Sequence, residues 1–137
     1  MQDKPTAIEL LEALEAFLRE EVAPHVEGGL RFKVLVATNV AGIIARELAL
    51  AGSQDRAQRE RLTALLDRAG ARDRGSRPDK PAASNEDTAA AVRRLFFELC
   101  ERIDGGEADE GPWREQVLAH LRACVAEKLA VDNPKAR

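Results

Sequence analysis

Asn39, Arg46 and Lys128 are polar side chains that stand where helical spacing calls for apolar ones. Around residues 30–51 the sequence carries two apolar stripes. One holds Leu30, Val34, Ala37, Ala41, Ile44 and Leu48. The other, nearly opposite, holds Phe32, Leu35, Val36, Ile43 and Leu50. Asn39 and Arg46 fall inside the second stripe, seven residues and so about 10 Å apart along one face. Near the C-terminus, a wheel of about 100° per residue sets Lys128 between Val117, Leu121 and Val125. A desolvated charge or amide without a partner is strongly unfavourable, so each of these groups needs a partner or a route to water. Glu47, Glu127, Asp132, Asn133 and the free carbonyls of helix ends can supply one. A latch, with Glu47 and Asp132 in it, would tie the C-terminal segment to the helix around Asn39. The same polar groups, Asn39, Arg46, Lys128 and Asn133, could instead form a pocket for an anionic ligand or a partner's carboxylate. In a third arrangement the long side chains simply reach solvent.

Other chemistry is sparse. The chain has no Gly-rich phosphate loop, no G-x-S-x-G, no H-E-x-x-H and no C-x-x-C. With two histidines and no Glu-x-x-His it does not encode a His-rich or di-iron metal site. His120 and Cys124, at i and i+4, share a helix face. A partly buried histidine beside a core edge accounts for that spacing better than a metal site does. His25 follows Pro24 in an expected turn. Glu9, Glu12, Glu15, Glu20 and Glu21 read as a solvated helix face. No metal and no cofactor are expected, and the class expected is not an enzyme.

These residues need helices to position them, and the sequence provides five helical segments without a strand. Thr6 and Glu9 have capping-box spacing. Ile8, Leu10, Leu11, Leu14, Phe17, Leu18 and Val22 follow on one face, and Pro24, Gly28 and Gly29 make the turn. The second helix spans about Leu30 to Ala51 and stops at Gly52. Its two apolar sides predict burial by neighbours on both, which makes it the central helix. A short third helix, capped by Ser53 or Asp55, presents Leu62, Leu65, Leu66 and Ala69. The stretch 71–84, ARDRGSRPDKPAAS, has no periodicity and reads as a mobile loop. Ser84 and Asp87 begin a fourth helix with Val92, Leu95, Phe96, Leu99 and Ile103 inward and Phe97 off that face. After an acidic loop, Pro112 opens a fifth, whose apolar positions are Trp113, Val117, Leu118, Leu121, Cys124, Val125 and Leu129. Cys100 and Cys124, offset by roughly 12 Å on antiparallel neighbours, are expected to be reduced and mostly buried. The fold expected is all-α: a single domain over 1–137, an up-and-down antiparallel bundle of four long helices plus one short.

Composition is consistent with this. The chain has 137 residues, 45% hydrophobic and 33% charged, which fits one globular domain without a metal or disulfide staple. A balance of 21 basic against 24 acidic residues, net −3, argues against nucleic-acid binding. The N-terminus does not read as a secretory leader, and Val34 to Ala45 is short of a membrane span. A cytoplasmic protein without a membrane partner is expected.

The opening MQDKPTAIELLEALEAFLREE, the stretch VATNVAGIIARELAL and the ending HLRACVAEKLAVDNPKAR resemble a family of small uncharacterised bacterial proteins, a domain of unknown function. The likeness rests on Gln2-Asp3, Pro5, Glu9-Leu10-Leu11, Asn39, Arg46-Glu47 and the run Lys128 to Pro134. It covers almost the whole chain apart from 71–84. The family has no assigned catalytic residue, so none is carried over. The resemblance implies association with genes for acyl-CoA dehydrogenases and aminoglycoside-phosphotransferase-like kinases. The function expected is therefore a non-catalytic helical accessory or interaction protein, a homodimer or a subunit of a larger assembly, with an acyl-CoA dehydrogenase or kinase-like partner. The alternative is a small bundle that binds an acyl or phosphate-bearing metabolite.

Overall fold

The structure, a computed structural model, describes residues 4–69 and 85–135. The expected loop at 71–84, the Gln2-Asp3 pair and the Ser84 cap lie outside these residues. The described residues form four α-helices and two short helical turns, with no strand among them.

Helix α1 is Ala7–Phe17, and its start is the capping box that the spacing predicts. Thr6 Oγ1 accepts the Glu9 backbone N–H at 3.2 Å, and Glu9 Oε2 accepts the Thr6 N–H at 2.7 Å. The Thr6 amide first, and its hydroxyl second, hold the Glu9 carboxyl below its usual range. A π-helical turn, Leu18–Val22, and a 3-10 turn, Ala23–His25, follow. Pro24, lacking an N–H, cannot extend the α ladder there.

Helix α2 is Gly28–Ala69 and corrects the sequence reading twice. Gly28 (φ 55°) and Gly29 are its first residues and not part of the turn before it. Gly52 does not stop it, so the expected second and third helices are one. A helix-interior glycine costs about 1 kcal/mol relative to alanine. Here strong helix formers follow it, from Gln54 to Leu62, with no proline.

Helix α3 is Asn85–Asp104, and α4 is Pro112–Asp132 with Pro112 in its first turn as expected. Between them Gly106 (φ 82°) and Gly111 (φ 86°) take left-handed conformations that residues with a Cβ rarely adopt.

The chain divides into two compact units, Gly52–Ala130 and a second made of Met1–Ala51 with Val131–Arg137. The unit Gly52–Ala130 has an aliphatic core. Leu62, Leu65 and Leu66 of α2 meet Val92, Leu95 and Leu99 of α3 and Val117 of α4. Leu62 and Leu99 are fully buried. Trp113, an apolar position of α4 as expected, packs on the core, and its indole N–H donates to the Leu65 carbonyl at 3.0 Å. Two expectations change in this unit. Cys100 is exposed, because it lies on the outer side of α3, beside buried Leu99. Phe96, expected inward, is 38% exposed, while Phe97, at 71% exposed, faces solvent as expected. Both cysteines are free thiols.

The N-terminal unit is built differently. Its buried residues are small: Ala23, Thr38, Ala41, Gly42, Ala45 and, from the C-terminal segment, Val131. Helices α1 and α2 meet closely at Gly42, where a Cβ would stand 2.9 Å from Glu15 Oε2 and 3.1 Å from Arg46 Nη1. The expectation that this part of α2 is buried on two sides is overturned. Only a narrow stripe of small residues is covered.

Candidate functional site

Arg46 is half-buried in the N-terminal unit, and its Nε donates to the carbonyl of Val131 at 2.8 Å. Val131 lies in the last turn of α4, where carbonyls have no partner in their own helix. A helix-end carbonyl was among the partners expected for this arginine. Asn39, Glu47, Asp132 and Asn133 are exposed, and so is Lys128, which belongs to the other unit. Asn39 and Lys128 are therefore not desolvated. The stripes that hold them are themselves open: Phe32, in Asn39's stripe, is 69% exposed, and Val125, beside Lys128, is 58% exposed. Helical periodicity identifies a face correctly but does not say whether anything covers it.

That exposure is the main feature of the N-terminal unit. Leu10, Leu14 and Phe17 of α1 are exposed. On α2, Phe32, Val36, Val40, Ile44 and Leu48 form an exposed ridge in steps of four residues, flanked by Leu30 and Leu35. This unit buries alanines and presents leucines and phenylalanines to the outside, the reverse of an ordinary core. Charges of both signs border the apolar surface. Glu12, Glu20 and Glu21 are exposed on the α1 side, and Arg31 and Lys33 on α2. Gly28–Arg68 also contains an 18-residue window of mean hydropathy 1.6, of which 22% is buried. By length and composition it could cross a membrane. The sequence reading excluded a span by counting consecutive apolar residues, which Thr38 and Asn39 interrupt without lowering the average enough.

The unit Gly52–Ala130 carries a polar network on α2 and α4. Gln58 Nε2 donates to Cys124 Sγ at 3.4 Å, and that sulfur lies 3.4 Å from His120 Nε2. Arg61 pairs with Glu127 at 2.7 Å, and Gln54 Nε2 donates to the Glu127 carbonyl at 3.2 Å. His120 is buried, as its place next to the apolar stripe predicts. Burial, and secondarily the Arg61 charge, lower its pKa, while Glu127 opposes them. The imidazole is therefore neutral at pH 7. The shared face of His120 and Cys124 was legible in their spacing. Arg61, Gln58 and Gln116 were not singled out, because on a helix rich in Arg and Gln nothing local separates an inward side chain from a solvated one. Among the described residues, no group of three His, Cys, Asp or Glu side chains could hold a metal.

Fold and surface together define a class: a small all-helical protein, one unit of which leaves most of its large apolar side chains exposed. The chain belongs to the family described as Domain of unknown function (DUF6285), which matches residues 24–136. No curated protein matches it, and no solved structure does.

Proposed function

We propose that the protein is a non-catalytic, cytoplasmic interaction protein, an up-and-down helical bundle that pairs with a second copy through the apolar face of its N-terminal unit. The observation that carries this reading is the reversal of core and surface on α1 and the first half of α2. Contiguous exposed apolar surface beyond a few hundred Å² marks an interaction site in soluble proteins. The seven on α2, Leu30, Phe32, Leu35, Val36, Val40, Ile44 and Leu48, each exposed by roughly half, amount to about 600 Å², which approaches the 800 Å² per partner that a stable interface buries. The bordering charges favour a second copy as occupant. In a two-fold pairing the α1 carboxylates of one copy can oppose Arg31 and Lys33 of the other. The same acidic border disfavours an anionic membrane surface. The accessory role fits enzymes of the acyl-CoA dehydrogenase or aminoglycoside-phosphotransferase-like kind, to which the resemblance points.

Light scattering on the purified chain tests the pairing. The expected mass is about 30 kDa, twice 15.0 kDa. Val40→Asp places a charge on the ridge and should return the mass to 15.0 kDa with helical content unchanged. A parent protein that stays at 15.0 kDa at micromolar concentration, or that sediments with lipid vesicles, overturns the reading.

A further inference from the structure

We infer that Lys33 and Glu47 make the exposed face of α2 specific for a second copy of the chain, which lies antiparallel across it about a two-fold axis at Val40. This deepens the self-pairing reading and rests on it. It adds the direction, the register and the residues that choose the partner.

The spacing along α2 carries the inference. Phe32 and Val36 stand eight and four residues before Val40, Ile44 and Leu48 four and eight after it, and all five side chains are exposed. Lys33 and Glu47 stand seven residues to either side of Val40, and both are exposed. Seven residues bring a helix back to within about 20° of the starting direction. Lys33, Val40 and Glu47 therefore share one line along α2, with each charge about 10 Å from Val40. The residues that α2 buries here, Thr38, Ala41, Gly42 and Ala45, lie on its other side, where α1 approaches Gly42. The outer face is thus basic at one end, apolar in the middle and acidic at the other.

Such a face is complementary to itself reversed. When two copies run antiparallel about Val40, a residue at a given distance before Val40 meets the residue at the same distance after it. Phe32 meets Leu48, and Val36 meets Ile44. Lys33 of each copy meets Glu47 of the other, so two ion pairs close the ends of one apolar contact, and Arg31 is left to the α1 carboxylates. A parallel pairing would set lysine against lysine and glutamate against glutamate. An uncharged apolar surface would take water from both charges without replacing it, which is unfavourable. Among the described residues, neither Lys33 nor Glu47 has an ion-pair partner in its own chain, so both are available to a second copy. Pairs at the rim of an interface add little affinity, but they fix the register and exclude wrong partners.

Sedimentation equilibrium of charge-reversed full chains tests the inference. Lys33→Glu alone opposes carboxylates at both contacts, and Glu47→Lys alone opposes ammonium groups at both. Each variant by itself should pair at least about tenfold more weakly than the parent. Mixed in equal amounts, the two variants regain opposite charges at both contacts, and the mixture should pair within about threefold of the parent. Recovery on mixing cannot come from a chain that has failed to fold. Either variant alone pairing as tightly as the parent, or a mixture no tighter than its components, would overturn the inference and leave self-pairing intact. A parent that stays at 15.0 kDa removes the self-pairing reading and this inference with it.

Discussion

At the scale of single residues, Arg46 and His120 show how the same kind of evidence can describe different situations. Arg46 reaches a carbonyl that its own helix end leaves unpaired, so its removal strands that acceptor. Hydrogen bonds to charged groups contribute about 1.5–3 kcal/mol, and the partial exposure of Arg46 puts it at the lower end. Arg46→Ala should therefore lower the unfolding free energy by about 1–2 kcal/mol in urea titrations. That is less than the cost of breaking a fully buried ion network, about 3–5 kcal/mol. His120 makes a prediction in pH. Its folded pKa lies below that of a free imidazole, so below about 6.5 the unfolded chain takes up more protons than the folded one. Stability is complete above that pH and falls as the solution is acidified toward the lowered pKa. Urea midpoints between about pH 7.5 and pH 5.5 should decline in the parent, and less so in His120→Gln, where this titration is gone. Arg61 and Glu127 are the charged groups that act on the ring, and they remain in both proteins.

Helical elements reveal themselves through their ends more than through their middles. The Thr6–Glu9 box and Pro112 mark helix starts in the sequence, because caps are local chemistry: orphan N–H groups need an acceptor, and a first turn tolerates proline. Gly52 misleads for the same reason. A glycine can end a helix, but only when the chain beyond it leaves the helical path, and here it continues to Ala69. Gly111 is the converse case. With φ at 86° and nothing within 4 Å of a would-be Cβ, its requirement is conformational alone. Gly111→Ala should cost about 1–2 kcal/mol in thermal or urea unfolding, the penalty for a left-handed residue with a Cβ. Gly28→Ala, at φ 55° and equally open, should behave alike.

At the scale of the whole molecule, the two units differ in how they are stabilised. The unit Gly52–Ala130 has a leucine core, whereas the other buries mainly alanine, threonine and glycine and leaves its larger apolar groups outside. If pairing covers that face, association is part of the folding free energy. The thermal midpoint should then rise with protein concentration in the parent and stay flat in Val40→Asp, read by calorimetry over a hundredfold range of concentration.

All-helical character, the capping box, the Pro112 start and the apolar positions Leu62, Leu65, Leu66, Val92, Leu95, Leu99 and Val117 were legible from residue types and spacing alone. These depend on local propensity and on a 3.6-residue period, which the chain carries wherever it is placed. Membership in a domain of unknown function was expected from resemblance, and the family model matches residues 24–136. What required the three-dimensional arrangement was coverage: which apolar stripe meets a neighbour and which meets none. Two stripes on α2 look equivalent on a wheel, yet alanines are buried there while Phe32 and Leu48 are not. Nor could spacing bring Arg61 and Glu127 together, since they lie on different helices and only packing decides which side chains two helices join.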